Sequence, residues 1–396
     1  MILLPLKPLE FYPLLFTLKP GTKSPMEKIN ITYVLCNIGG YQQYVWIAEA
    51  IDTKVFQLTF IFLDESTNNL KSVLEQKGFT CYQLQVASKK DILKAIFQAR
   101  NIFKKEKTTI VHTHLVNASL VGLLAAKLSG IKKRIHTRHH ADFHHKYYKK
   151  GVLLDNLINL LSTDIVAVSK NVMNIVETKE KYHQHKITLI YHGLQLNDFD
   201  IIPEERITAI QQKYNIKKTP VIGMISRYEI GKGVEYAIAA FSKIIHDYPD
   251  AKLLIANAFG PEKNNIQKQL KDIPEHHIIE IEYEQDIQAL YKCFDIFVHV
   301  PIAYNYEAFG QVYIEAMAAS VPMVCTRSGV ATEFIENGKN AVVVDYKNAE
   351  EIYGGIKKYL TDTVFTENII QEARENVIML FDLNKIISAL NTLYLF

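Results

Sequence analysis

Two glutamates, Glu307 and Glu315, stand eight residues apart in the stretch YEAFGQVYIEAMAA, which also contains a bare glycine. The pattern predicts a helix that begins near Gly310, with Glu307 before it and Glu315 about one turn inside it. The free N–H groups of a first helical turn attract anions, and glycine lets a ligand approach the backbone closely. Carboxylates accept hydrogen bonds from vicinal diols. The spacing suits an anionic ligand with hydroxyl groups on both sides. On spacing alone, an ordinary surface position for Glu315 remains the alternative.

Two further glycine-bearing loops carry candidate groups. In SRYEIGKGVEYA, Arg227 and Lys232 flank Gly231 just before a helical pattern. Two cations beside a helix N-terminus favour a diphosphate. In NIGGYQQYV, Gly39 and Gly40 follow the first strand pattern, where a plain tight turn is an equal alternative.

The elements that must position these loops alternate between short β-branched runs and longer helical patterns. This rhythm predicts parallel sheets covered by helices on both faces. It breaks in GLQLNDFDIIPEE and restarts at PVIGMIS. With 396 residues, the chain exceeds what one hydrophobic core usually supports. We therefore expect two similar α/β domains in series, over residues 26–200 and 201–383.

Composition indicates the class of protein and the compartment. The four cysteines include no CxxC pair, so we expect neither a disulfide framework nor a zinc module, and a cytoplasmic location. Residues 26–200 carry 23 Lys and Arg against 15 Asp and Glu, whereas 201–396 carry 19 against 26, so the first half is positively charged and the second negatively charged.

Residues 1–25 are apolar but interrupted by prolines, which predicts an irregular extension. No uncharged apolar run is long enough for a transmembrane helix.

Several stretches together resemble family 4 of the retaining glycosyltransferases, over residues 26–396. The resemblance rests on GGYQQYVWIAEAI, HTRHH, DIVAVSKNV, GMISRYEIGKGVEYAIAAF and the region around YEAFGQVYIEAMAA. It implies the GT-B fold, in which two Rossmann-like, doubly wound α/β domains face each other across a cleft. It also implies that the C-terminal domain holds a nucleotide-sugar donor and that the last helix, residues 384–396, crosses back to the N-terminal domain.

The resemblance also implies roles for individual residues. Arg227 and Lys232 would neutralise the departing diphosphate, with Gly40 close to it. His139 would lie near the donor sugar and assist catalysis. The remaining donor-binding groups would be Glu307 with the amides of Phe309, Gly310 and Gln311 around the sugar, and Glu315 on the ribose. No metal and no cofactor are expected, because cations of the chain can stabilise the leaving phosphate.

Some positions depart from the family pattern, namely SVP at residues 320–322, HGLQ at 192–195 and the insertion-like IAYNY before Glu307. They leave the sugar and base undefined. A nucleotide-sugar epimerase of the same fold and a non-catalytic sugar-nucleotide-binding partner subunit are the alternatives.

The histidines of residues 136–145 invite a zinc hypothesis, but no carboxylate or cysteine stands at ligand spacing, so we expect no metal there. For DFD at residues 198–200 we expect a turn and capping role.

The run HHKYYKKG, together with KKR at residues 132–134, interleaves aromatic side chains with cations. This composition suits peripheral contact with anionic lipid at the inner face of a membrane, or a mobile loop near a hydroxyl acceptor such as a sugar or glycolipid. No nucleic-acid-binding motif is present in the sequence, so we expect no nucleic-acid partner.

Overall fold

The structure, a computed structural model, describes residues 27–36, 42–63, 70–86, 88, 90–217 and 219–396. The calls on residues 1–25, Gly39 and Gly40 lie outside this part of the chain. Two parallel sheets, each covered by helices, organise the described residues. The two-sheet α/β architecture expected from the sequence is confirmed.

Seven parallel strands form the first sheet: β1 Ile29–Cys36, β2 Phe56–Leu63, β3 Thr80–Leu84, β4 Ile110–His114, β5 Lys133–Arg138, β6 Asp164–Ala167 and β7 Ile187–Leu189. Their order is β3-β2-β1-β4-β5-β6-β7, so the chain winds outward from the centre in both directions. The helices are α1 Gln42–Ala50, α2 Leu70–Gln76, α3 Asp91–Lys105, α4 Val116–Leu128, α5 Phe143–Tyr147, α6 Lys149–Leu161 and α7 Lys170–Thr178. Strand β4 is buried along its whole length, as expected for a central strand covered on both faces.

The connection between the sheets contains the short helix α8 Asn197–Asp200 and the helix α9 Glu204–Lys213. Six parallel strands form the second sheet: β8 Val221–Ile225, β9 Lys252–Ala256, β10 Ile278–Ile281, β11 Ile296–His299, β12 Met323–Cys325 and β13 Val342–Val343. Their order is β10-β9-β8-β11-β12-β13. The helices are α10 Val234–Asp247, α11 Lys263–Leu270, α12 Ile287–Tyr291, α13 Gln311–Ala318, α14 Ala331–Phe334 and α15 Ala349–Thr361. In α10 the residues at three- and four-residue steps are buried, as the sequence period predicts.

Two final helices, α16 Thr363–Phe381 and α17 Leu383–Leu395, return the chain to the first sheet. The Tyr394 hydroxyl hydrogen-bonds that of Tyr33 on β1 and lies 2.8 Å from Nδ1 of His112 on β4. The segment between the helices pairs with the outgoing connection, since Leu194 N donates to Phe381 O and Leu383 N to Leu194 O. The chain therefore crosses between the two sheets twice, at adjacent points.

Candidate active site

The loop after β8 carries the two predicted cations. Gly233, at the N-terminus of α10, has φ +74°, and a Cβ there would lie 1.9 Å from the carbonyl oxygen of Val300. Only glycine allows this approach, which holds the loop against the carboxyl end of β11. Lys232 consequently reaches Glu307, with its Nζ 2.7 Å from Oε1. Residues 75 positions apart are thus brought into direct contact.

One cavity of about 950 Å³, open to solvent, brings together four of the predicted residues. We call it the Glu307 pocket; its lining includes His139, Arg227, Lys232 and Glu307. The Lys232 and Glu307 side chains are only 16% and 13% exposed. Arg227 is 54% exposed and pairs with Glu229, with its Nη1 3.0 Å from Oε1. The pocket therefore combines one enclosed cation with one that remains accessible to a ligand.

Charges around Glu307 keep it ionised. Burial by itself raises the pKa of this carboxyl, but the charge on Lys232 and the contact with His299 outweigh burial and hold the pKa well below its usual range. Nε2 of His299 lies 3.3 Å from Oε1 of Glu307. His299 ends β11 and was not predicted as a site residue. Its position at the carboxyl end of a strand was the available signal.

Helix α13 begins at Gln311, one residue after Gly310, whose φ is +85°. The first-turn amides of a helix have no partners within it. Glu307 lies on one side of this helix start, whereas Gln311 and Glu315 line a second cavity of about 1000 Å³ on the other. We call the second cavity the Glu315 pocket; Trp46 and Asn257 also line it. The helix start therefore stands between two open cavities.

The two glutamates differ in charge behaviour. Burial raises the pKa of Glu315 to about 7, although hydrogen bonds from Tyr291 and Gln311 lower it in part. The Tyr291 hydroxyl donates to Oε2 of Glu315 over 3.0 Å. Phe309, between the pockets, buries its ring against His192 and Phe381, so only its backbone is available to a ligand.

His139 forms part of a buried row of imidazoles. Its Nε2 lies 2.9 Å from Nδ1 of His114, and its ring stacks on that of His192. Burial and the neighbouring imidazoles lower the pKa of His139 well below its usual value. At neutral pH His139 is therefore an uncharged hydrogen-bonding group at the wall of the Glu307 pocket.

Sequence reasoning missed a polar bridge between the domains beside this pocket. Asn305 donates to Oδ2 of Asp142 over 2.6 Å and accepts from Lys146 over 2.7 Å. Asp142 and Asn305 are almost fully buried. Asn305 lies in the unusual IAYNY segment. The departure from the family pattern thus supplies a link between the two domains at the edge of the cavity.

The histidine-rich segment after β5 has carboxylate partners that the sequence spacing did not reveal. Arg138 is fully buried, and its Nη2 lies 3.0 Å from Asp155 and 2.7 Å from Glu180. Around them lie His140, His144, His145 and Asn159, which hydrogen-bond the same two carboxylates. We call these seven residues the Arg138 cluster. The expectation that no carboxylate is placed as a partner for these histidines was wrong, because Asp155 on α6 and Glu180, two residues beyond the end of α7, reach them through the packing of the fold.

The DFD stretch has ordinary structural partners. Asp198 accepts a hydrogen bond from Nε1 of Trp46 over 2.8 Å, and Asp200 pairs with Arg374. Both contacts tie the connecting segment to its surroundings.

Comparison with known proteins defines the family. The model of the family described as "Glycosyl transferases group 1" matches residues 206–376, and that of "Glycosyltransferase Family 4" matches residues 75–198. The chain belongs to glycosyltransferase family 4. This glycosyltransferase has curated relatives over most of its length. It is 25% identical over 313 residues to the capsular polysaccharide biosynthesis glycosyltransferase CapM of Staphylococcus aureus, across 76% of this chain and 80% of the relative.

A second relative and a solved structure extend the comparison. The glycosyltransferase is 27% identical over 342 residues to N-acetyl-alpha-D-glucosaminyl L-malate synthase of Bacillus anthracis, across 84% of each chain. The structure of Anabaena HepE in complex with UDP-glucose superposes with a TM-score of 0.79 at 19% identity, across 93% of this chain and 100% of the other. The GT-B fold expected from the sequence is confirmed.

None of the helices that the structure describes is both long enough and apolar enough to span a bilayer.

Proposed function

We propose that this glycosyltransferase transfers a sugar from a nucleotide diphosphate sugar to a hydroxyl acceptor with retention of anomeric configuration. The observation that carries the proposal is the placement of Lys232 and Arg227 in one cavity with Glu307, beside the start of helix α13. Cations and a helix start favour a pyrophosphate. The bound UDP-glucose of HepE, on the same fold, supports this class of donor.

The two pockets suit the two ends of such a donor. In the Glu307 pocket, the ionised Glu307 and the amides of Phe309, Gly310 and Gln311 would bind the sugar. In the Glu315 pocket, Glu315 would accept hydrogen bonds from the ribose diol. The pyrophosphate would lie across the start of α13, where the first-turn amides and the Lys232 and Arg227 side chains supply donors. Gly40, outside the described residues, keeps its proposed position near the diphosphate.

In the transfer step, the acceptor hydroxyl oxygen bonds to the anomeric carbon while the bond from that carbon to the phosphate oxygen breaks. The hydroxyl proton passes to the leaving phosphate oxygen. Lys232 and Arg227 stabilise the negative charge that develops on the diphosphate, without a metal or another cofactor. The neutral His139 contributes as a hydrogen-bonding group near the sugar. The CapM relative, named for capsular polysaccharide biosynthesis, supports a role in surface polysaccharide assembly. The acceptor that we propose is a sugar or a glycolipid.

The test begins with thermal stabilisation by a panel of nucleotide sugars, because a ligand that binds only the folded state raises Tm. The donor identified is then incubated with hydroxyl acceptors, and the anomeric configuration of the product is read by NMR. We expect release of the nucleoside diphosphate, retained configuration, and turnover that Mg²⁺ added to chelated protein leaves unchanged. Conversion of the donor sugar without release of the diphosphate would establish the epimerase alternative. Binding without any turnover would establish the non-catalytic one.

The raised pKa of Glu315 gives donor binding a pH dependence. A carboxylate accepts from two hydroxyl groups, whereas the protonated form loses acceptor capacity. With a pKa of about 7 in the free protein, affinity for the nucleoside diphosphate should rise roughly tenfold between about pH 6 and pH 8. Titration calorimetry on the parent and on Glu315→Gln measures this. In the variant, affinity should change with pH only as far as the ligand itself ionises. An identical pH dependence of affinity in both proteins would contradict the ribose-binding role of Glu315.

We also propose that the N-terminal domain contacts anionic lipid through helices α5 and α6. Along α6, Leu153, Leu157 and Leu160 are 71%, 38% and 67% exposed. Lys149 and Lys150 flank this apolar stripe and are exposed. Asp155 is the single acidic residue in these two helices, and it is buried against Arg138. An apolar stripe beside cations suits an anionic bilayer surface.

Vesicle flotation checks this contact. We expect binding to phosphatidylglycerol-containing vesicles, weak binding to pure phosphatidylcholine, and release by salt. The double variant Leu153→Glu/Leu160→Glu should lower the partition coefficient at least about tenfold, because it removes two exposed leucines that would enter the bilayer and adds two negative charges that the anionic lipid repels. Val364→Glu is the matched control, since Val364 is 70% exposed on the C-terminal domain. Equal binding by the double variant and the control would refute the contact.

A further inference from the structure

The Arg138 cluster buries more negative than positive charge. One guanidinium, on Arg138, faces two carboxylates, on Asp155 and Glu180, and the three side chains are at most 1% exposed. A buried charge without compensation is costly. The remaining members of the cluster are three imidazoles and the Asn159 amide. A bound cation would compensate the excess negative charge of this cluster.

Three members of the cluster have the geometry of a cation site. Nε2 of His140, Nδ1 of His144 and a carboxylate oxygen of Asp155 lie within 4.8 Å of one another. Nε2 of His140 is 3.1 Å from both Asp155 oxygens, and Nδ1 of His144 is 2.7 Å from Oδ2. Neighbouring ligands of tetrahedral Zn²⁺ stand roughly 3.3 Å apart, as bond lengths of about 2.0 Å dictate. A small displacement of these side chains would accommodate the ion.

Neighbouring residues hold the three candidate ligand side chains in place and leave the site open to solvent on one side. A Cβ at Gly151 would lie 2.6 Å from Cγ of His144, so helix α6 passes directly against this imidazole. Arg138 in turn orients the Asp155 carboxylate. The His140 and His144 side chains are 20% and 13% exposed, which leaves solvent access for entry and for a fourth ligand. Rigid ligands, a hydrogen-bonded carboxylate and one open side are features of metal sites in proteins.

We propose that His140, His144 and Asp155 form a binding site for a divalent transition metal of the Zn²⁺ class. The ion compensates the buried negative charge and fastens helix α5 to α6. Asp142 and Lys146, which accompany α5, line the Glu307 pocket and bond Asn305 across the domains. The metal is therefore structural and holds one wall of the pocket in place. It takes no part in the transfer chemistry, so this proposal and the proposed function can fail separately.

The experiment uses the untagged full chain, stripped of metal and then dialysed against Zn²⁺ alone. We expect one Zn²⁺ per chain by elemental analysis and, at a hundredfold excess over Kd, a rise in Tm of roughly 3–8 °C. His140→Gln and His144→Gln should each abolish both effects, while the glutamine amide retains a hydrogen-bond donor for Asp155. His145→Gln is the matched control, because His145 contacts Glu180 and lies outside the three ligands. It should bind Zn²⁺ like the parent.

Three outcomes would overturn the site. Absence of stoichiometric Zn²⁺ binding would show that His140, His144 and Asp155 form no metal site. Full binding by His140→Gln and His144→Gln places the metal elsewhere, for example on a cysteine. An equal loss in His145→Gln shows a general disturbance of the cluster instead of ligation.

Discussion

Replacing Lys232 by alanine is expected to lower kcat by about 10²-fold or more, because it removes the enclosed cation that, in the proposed mechanism, faces the developing phosphate charge. Lys232 is well suited to this role, since Gly233 fixes its backbone and Glu307 holds its Nζ at 2.7 Å. Its stabilisation of the transition state therefore needs little reorganisation. The measurement is steady-state release of nucleoside diphosphate, with kcat and KM determined separately.

The control for Lys232→Ala is Lys243→Ala. Lys243 forms an exposed ion pair with Glu350 away from both pockets, and exposed pairs contribute little. We expect Lys243→Ala to retain the parent kcat. Glu307→Ala, which removes the partner of Lys232 and the proposed sugar ligand, should also lose most turnover. If both Lys232→Ala and Glu307→Ala turn over at the parent rate, the site has been assigned to the wrong residues.

Replacing Arg138 by methionine is expected to lower the free energy of unfolding of the N-terminal domain by roughly 3–5 kcal/mol, because two buried carboxylates lose their shared partner. Water cannot hydrate the carboxylates of Asp155 and Glu180 in place of Arg138, since their side chains are 0–1% exposed. Urea denaturation followed by tryptophan fluorescence measures the effect. The single tryptophan, Trp46, is buried in this domain and reports on it directly.

Lys71→Met provides the comparison for Arg138→Met. Lys71 also pairs with a carboxylate of the N-terminal domain, that of Glu75, but the two side chains are 36% and 42% exposed. Removing Lys71 should change the free energy of unfolding by less than about 1 kcal/mol. Similar losses in the two variants would mean that burial does not set the strength of the Arg138 pairing, contrary to our interpretation.

The hydrophobic period of the sequence was sufficient to predict two α/β domains with parallel sheets, whereas the GT-B fold was implied by the family resemblance. The helical pattern that follows Lys232 in the sequence forms helix α10, whose buried residues recur at three- and four-residue steps. Element ends were less predictable. In DIVAVSKNV, strand β6 ends at Ala167, because Ser169 caps helix α7 and accepts a hydrogen bond from Val172 N. The hydrophobic period does not predict where a side chain such as that of Ser169 caps a helix and thereby ends the preceding strand.

For the site, the sequence predicted which loops converge at the ends of strands, but it did not predict the contacts that depend on how helices and domains pack. Arg227, Lys232 and Glu307 each follow a strand of the same parallel sheet, so their convergence could be anticipated. The bridge from Asn305 to Asp142 joins residues 163 positions apart, and the pairing of Arg138 with Glu180 joins residues 42 apart. Neither separation follows a period, so both pairings depend on how helices and domains pack.

The double passage of the chain between the domains has a mechanical consequence. The outgoing segment at Leu194 and the returning segment at Phe381–Leu383 are hydrogen-bonded to each other and form a two-stranded linker between the domains. A single tether would permit twisting in any direction, whereas a paired tether resists torsion and leaves bending about one axis as the easy motion. Opening and closing should therefore return Lys232 and His139 to the same relative alignment after every product departs.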